Sequence, residues 1–102
     1  MYRRLFFALT AFFLLAATPL GAARRFTLVI DPGHGGHDAG AMGAISKEKD
    51  INLNVALAFG RYVERNCPDV RVIYTRKTDV FVPLNERAQI ANRANADLFV
   101  SV

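Results

Sequence analysis

The sequence predicts an α/β domain with a mostly parallel sheet and helical crossovers, incomplete in this chain as β-α-β-α-β. Three observations carry that prediction. Apolar stretches of strand-like composition recur at Phe26 to Ile30, Val70 to Tyr74 and Leu98 to Val102. Between them lie two segments whose apolar residues repeat at helical spacing, each long enough for a right-handed crossover between parallel strands. Polar groups follow the carboxyl ends of the strands, His34 after the first and Arg76 after the second, which is where open parallel sheets gather functional residues.

In the first strand, Phe26, Leu28 and Ile30 alternate with Thr27 and Val29, and both sets are largely apolar, so the strand is buried and central. Asp31 and Pro32 end it, because proline lacks the ladder donor and restrains the residue before it. The glycines of PGHGG then let the backbone turn around His34 and leave its imidazole uncrowded. Two readings stay open for this turn: a structural bend with an exposed histidine, or one corner of a site. Residues 37–50, with Gly40 and Gly43, read as a loop across the end of the sheet.

A helix is predicted over residues 50–65, with Leu53, Ala56, Leu57, Gly60 and Val63 inward and Asn52, Asn54, Arg61, Glu64 and Arg65 outward. Gly60 costs about 1 kcal/mol relative to alanine in a helix, and close packing is its expected purpose. Pro68 fits the stop. After the second strand and the polar run Thr75 to Asp79, Pro83 is expected in the first turn of a second helix over residues 84–95. Leu84, Ala88 and Ala91 would face the core with Ile90 and Ala94 beside them, and Glu86, Arg87, Gln89, Asn92 and Arg93 would supply most of the polar surface. Asp97 leads into the third strand, with Asp97 and Asn92 expected to cap or tether backbone there. LFVSV, with no turn or helix after it, is an odd terminus for a complete domain, so the sequence reads as a fragment.

The 102 residues leave room for one small domain. Residues 1–23, MYRRLFFALTAFFLLAATPLGAA, run from a basic start through an apolar core to small residues and read as a secretory signal peptide cut after Ala22 or Ala23. The rival reading, an uncleaved anchor, is disfavoured by the shortness of the core and by Pro19. The protein is therefore expected to be exported. The formal charge of +4 drops to +2 over residues 24–102, because Arg3 and Arg4 belong to the leader. With no arginine-rich helix and no basic patch interleaved with aromatics, a nucleic-acid partner is disfavoured and none is expected. Cys67 is the one cysteine, so no intrachain disulfide forms and stability rests on the core or a metal. With no histidine or second cysteine beside it, its thiol reads as inert.

His34 is a candidate zinc ligand through one ring nitrogen, with Asp31 or Asp38 orienting the other. Glu48, at the start of the first helix, could bind metal or simply favour the positive helix terminus. His37 competes with His34 but has less glycine around it. Arg76 has three open readings: holding an anionic group, orienting Asp31, or bonding within the TRKTD turn. A phosphate-binding nest is disfavoured, because GHGG lacks the lysine and spacing of a phosphate loop.

The segments VIDPGHGGHDAGAMG, KEKDINLNVALAFGRYVE and VIYTRKTDVFVPLNERAQIANRANADLFVSV, in this order and spacing, resemble the zinc-dependent N-acetylmuramoyl-L-alanine amidases of bacterial cell walls. The resemblance covers nearly all of residues 26–102. It implies that residues 24–102 are the N-terminal part of an amidase catalytic domain, with zinc as cofactor and His34 and Glu48 as two of its ligands. It implies a third ligand, a histidine directly after Val102, and a catalytic glutamate later still, neither of them in this sequence; the chain alone is accordingly expected to be inactive. Peptidoglycan is the implied substrate, the periplasm or cell envelope the implied location, and a monomer the implied state, with an activator protein as a candidate partner. Arg87 would pair with a carboxylate in or near the core. The competing expectation is a non-catalytic peptidoglycan-binding or regulatory remnant.

Overall fold

The computed structural model describes residues 25–102; the expected signal peptide, residues 1–23, lies outside them. The elements run β1 (Phe26–Asp31), α1 (Glu48–Asn66), β2 (Val70–Tyr74), α2 (Leu84–Arg93) and β3 (Leu98–Ser101). The strands form one sheet in the order β2-β1-β3, and both pairings are parallel. The β-α-β-α-β prediction is borne out.

The apolar run of β1 has its cause in that order. A strand flanked on both edges and covered on its faces has no wet side, and Leu28, Val29 and Ile30 are all buried. Leu28 and Ile30 pack with Ala56 and Val63 of α1, and Phe59, Val70, Val72, Tyr74, Val100 and Val102 close round them. Gly60 has the close approach its place in the helix suggested, since a Cβ there would run into the Tyr74 ring. The register sets Ile30 opposite Tyr74 and Asp31 opposite Ser101, so the strand ends finish level and their following residues meet at one end of the sheet.

The boundaries differ in instructive ways. Helix α1 starts at Glu48 rather than residue 50, with Glu48 and Asp50 acidic in its first turn, where they complement the helix dipole. Helix α2 ends at Arg93 rather than residue 95, because Asn95 takes φ 51°, a left-handed conformation in which asparagine commonly ends helices. Pro83 precedes α2 instead of entering it, and its carbonyl accepts the Glu86 and Arg87 N–H groups. The predicted inward face of α2 also needs correction. Leu84 is 85% exposed and Ala88 is exposed, whereas Arg87 is buried beside Ala91. The inward position went to the side chain that could satisfy a buried carboxylate. Among the described residues, no helix is long and apolar enough to cross a membrane.

Candidate functional site

Beyond the carboxyl ends of the strands, Asp31 sits 6% exposed. Its Oδ1 accepts from Thr75 Oγ1 at 2.7 Å and from Arg87 Nη1 at 3.0 Å, and its Oδ2 accepts from Ser101 Oγ at 2.9 Å. One carboxylate thus joins the ends of β2 and β3 to α2, and every one of these partners is fixed by the fold. The carboxylate partner expected for Arg87 is found here. The Asp97 tether is found as well: its carboxylate accepts the Thr27 N–H at 2.7 Å, and its own N–H donates to the Thr27 carbonyl at 2.8 Å.

Past Pro32 the chain turns through His34, whose φ of 62° is in the left-handed region. For a non-glycine residue this costs on the order of 1–3 kcal/mol and persists only where the surroundings hold it. They do so: Arg87 Nη2 donates to the His34 carbonyl at 2.8 Å. The imidazole then lies between two carboxylates. Nδ1 is 2.9 Å from Asp38 Oδ2, and Nε2 is 3.2 Å from Glu48 Oε2. Of the two aspartates weighed as partners of His34, Asp38 takes the role; Asp31 is engaged elsewhere. Asp38 is itself aligned by the Gly40 N–H on Oδ1 at 3.2 Å, and Glu48 by the Ala41 N–H on Oε1 at 2.9 Å.

This arrangement raises the His34 pKa above its ordinary value, chiefly through the hydrogen bond to Asp38 and against a desolvation penalty. It lowers the Glu48 pKa, first through the Ala41 N–H and then through His34, and lowers that of Asp38, first through His34. His37 does not join them. It is exposed, with its ring tilted 43° against that of Phe81 at a centroid distance of 4.3 Å. Arg76 makes no hydrogen bond to Asp31, whose charge acts on it through space, and its hydrogen bonds all go to backbone carbonyls, Thr78 of the TRKTD turn among them.

His34 and Glu48 are the pair that could hold a metal. Nε2 and Oε2, an imidazole nitrogen and a carboxylate oxygen, face each other at 3.2 Å, and both are donor types that zinc accepts. Gly40, at φ 66°, keeps that space open: a Cβ there would stand 2.7 Å from both Glu48 Oε1 and His34 Cδ2. The pair fits a cation. Among the described residues, no three His, Cys, Asp or Glu side chains converge as a metal cluster. A cavity of about 550 Å³ opens over the two, with Phe81, Val82, Leu84 and Val102 as its apolar lining.

Sequence reasoning missed the part played by Thr75 and Ser101, although a hydroxyl residue at the end of each strand flanking Asp31 was a readable signal. It missed Lys49 entirely. This lysine is 9% exposed, and its ammonium reaches the Gly36 carbonyl at 3.0 Å and Asp79 at 2.8 Å. Helical periodicity gives no warning of it.

The fold and this pair define a class: a parallel α/β domain with an imidazole and a carboxylate converging in a cavity at the carboxyl ends of its strands. Residues 28–102 match the family model described as N-acetylmuramoyl-L-alanine amidase, and the chain belongs to that family. It is 40% identical over 83 residues to N-acetylmuramoyl-L-alanine amidase AmiC of Escherichia coli O6:H1, a match covering 80% of this chain and 20% of the relative. It is 43% identical over 76 residues to AmiA of Escherichia coli K12, covering 74% of this chain and 26% of the relative. Among solved structures, amidase AmiC2 of Nostoc punctiforme superposes with a TM-score of 0.69 at 43% identity, over 74% of this chain and 42% of that one. An amidase from Clostridium difficile 630 gives 0.72 at 37% identity, over 78% and 43%. The chain therefore spans less than half the length of each of these relatives.

Proposed function

We propose that this chain is the N-terminal part of a zinc-dependent amidase that hydrolyses the bond between N-acetylmuramic acid and L-alanine in peptidoglycan. The observation that carries the reading is the pairing of His34 Nε2 with Glu48 Oε2 at 3.2 Å, with Asp38 on the far ring nitrogen. His34 and Glu48 would hold the zinc, which supplies polarisation of the amide carbonyl and a lowered pKa for water. Asp38 Oδ2 would accept a hydrogen bond from Nδ1–H and so keep Nε2 turned toward Glu48. The Ala41 N–H occupies Glu48 Oε1 and leaves Oε2 facing the imidazole. The apolar lining at Phe81, Val82 and Leu84 would take up the substrate flanking the scissile bond. Water adds to the carbonyl carbon and the C–N bond breaks, leaving a carboxylate on the lactyl group and an amine on L-alanine.

Two ligands make an incomplete set, since catalytic zinc sites carry three protein ligands. The third ligand and the glutamate that moves the proton belong, in this reading, to the remainder of the family domain. Val102 donates its N–H to the Asp31 carbonyl at 2.9 Å and accepts the Gly33 N–H at 3.0 Å, which would bring the next residue to the cavity. The 102 residues alone are then inactive. Export to the periplasm or cell envelope, monomeric action and a protein activator belong to the same reading.

The test is hydrolysis of a purified muropeptide by the chain alone and by the chain joined to the remaining part of a relative's domain. The joined protein should release the stem peptide, lose activity to a chelator, regain it with zinc, and fail as E48A. Chelator-sensitive release by the 102 residues alone contradicts the two-ligand account.

A further inference from the structure

We propose that Arg76 is the positioning residue that sets the distance between His34 and Glu48, an inference that rests on the zinc reading above. The two side chains come from different elements: His34 from the turn after β1, Glu48 from the first residue of α1. Something must hold that helix end against that turn. Arg76, at the end of β2, does so from a buried position, 3% exposed. Its Nε donates to the Pro32 carbonyl at 3.0 Å, and its Nη2 donates both to the Gly33 carbonyl at 2.8 Å and to the Lys49 carbonyl at 3.0 Å. One nitrogen therefore joins the residue before His34 to the residue after Glu48.

Lys49 is gripped a second time through its own ammonium, which reaches the carbonyl of Gly36 on the other side of His34. The imidazole is bracketed by two links that end on the same helical residue. Of the two, only Arg76 acts through main chain at both ends, so it fixes the backbones that carry the pair and not merely a flexible side chain. Its acceptors explain why an arginine stands here. The carbonyls of Pro32, Gly33, Lys49 and Thr78 diverge around the planar fork, and no lysine ammonium, a single point of charge, spans them. Gly35 lets the guanidinium lie against the turn, since a Cβ there would stand 2.8 Å from Nε.

A merely structural arginine would lower stability when replaced and leave the site geometry of the folded molecules alone. T75V supplies that comparison, because Thr75 is buried and bonds Asp31 rather than the helix end. The full chain is compared as wild type, R76K and T75V by two measurements. In metal-free protein, nuclear Overhauser contacts between the His34 ring protons and the Glu48 methylenes read the spacing directly. Calorimetric titration with zinc alone then reads affinity. R76K should weaken or lose the His34–Glu48 contacts and bind zinc about 10- to 100-fold less tightly, while T75V keeps both after equal loss of thermal stability. If R76K keeps the contacts of the wild type, the assignment is overturned, whatever happens to zinc. If wild type binds no zinc while R76K still loses the contacts, the zinc reading fails and the positioning role stands. Should R76K not fold, R76Q is measured instead; if neither folds where T75V does, Arg76 serves the whole fold and the proposal is overturned.

Discussion

Two charged clusters stand at the same end of the sheet, built from the same chemistry and put to different uses. In one, Asp31 and Arg87 pair at 3.0 Å with side chains 8% and 4% exposed, and hydroxyls of Thr75 and Ser101 each donate to one of the carboxylate oxygens. In the other, His34 lies between Asp38 and Glu48 with side chains 34% and 42% exposed. The first cluster is closed: every acceptor faces a donor supplied by the fold. The second is open, with an imidazole nitrogen and a carboxylate oxygen meeting in a cavity. The difference separates a carboxylate that holds strands from one that can hold a ligand.

The largest effect should come from breaking the closed cluster. D31N leaves Arg87 buried without its counter-charge, and such losses cost about 3–5 kcal/mol. Denaturant unfolding should show it, and a loss under about 1 kcal/mol would erase the distinction drawn above. D38N strikes the open cluster and should do the reverse. Zinc affinity falls about 10- to 100-fold, with the unfolding midpoint close to that of the wild type; an unchanged affinity would mean that Asp38 does not orient His34. G40A forces a side chain into φ 66° and crowds the two donors. It should cost about 1 kcal/mol or more of stability and weaken zinc binding as well, whereas a loss of stability alone would show that the gap between Glu48 and His34 tolerates a methyl group.

The smallest effect belongs to Asp79, whose pKa is held below the ordinary 3.8, first by Lys49 and then by the Gly36 N–H. A carboxyl depressed in the folded state stabilises fully above its unfolded value and loses that contribution as pH falls through the folded one. D79N should therefore melt below wild type at neutral pH, and the gap should close in acid as wild-type Asp79 protonates. A gap independent of pH would show that the Lys49 ammonium is not what Asp79 contributes.

The sheet was legible because β1 is apolar on both faces, a pattern that only a covered central strand needs. The helices were legible from their period, but their ends were not. Glu48 starts α1 because the N–H groups of Glu48 and Lys49 donate to the Ala41 and Ala39 carbonyls of the hairpin-like loop before it, and those bonds depend on a fold already formed. On α2, the period put Ala88 inward, yet the buried neighbour is Arg87, which satisfies Asp31 as no apolar side chain could; Leu84, three residues before Arg87 and on its face, lines the cavity instead of entering the core. For the site, the glycines around His34 marked the turn, and resemblance singled out Glu48. The left-handed backbone at His34, the buried Lys49 and the reach of Arg76 across three segments arise from tertiary contact and leave no local trace.

The central claim is that His34 and Glu48 are neighbouring corners of one metal site. X-ray absorption at the zinc edge of the zinc-loaded chain tests it most directly. The account predicts a first shell containing an imidazole nitrogen and a carboxylate oxygen, with the imidazole signature lost in H34A and the oxygen shell altered in E48A. A shell that is the same in wild type and in both variants would contradict it.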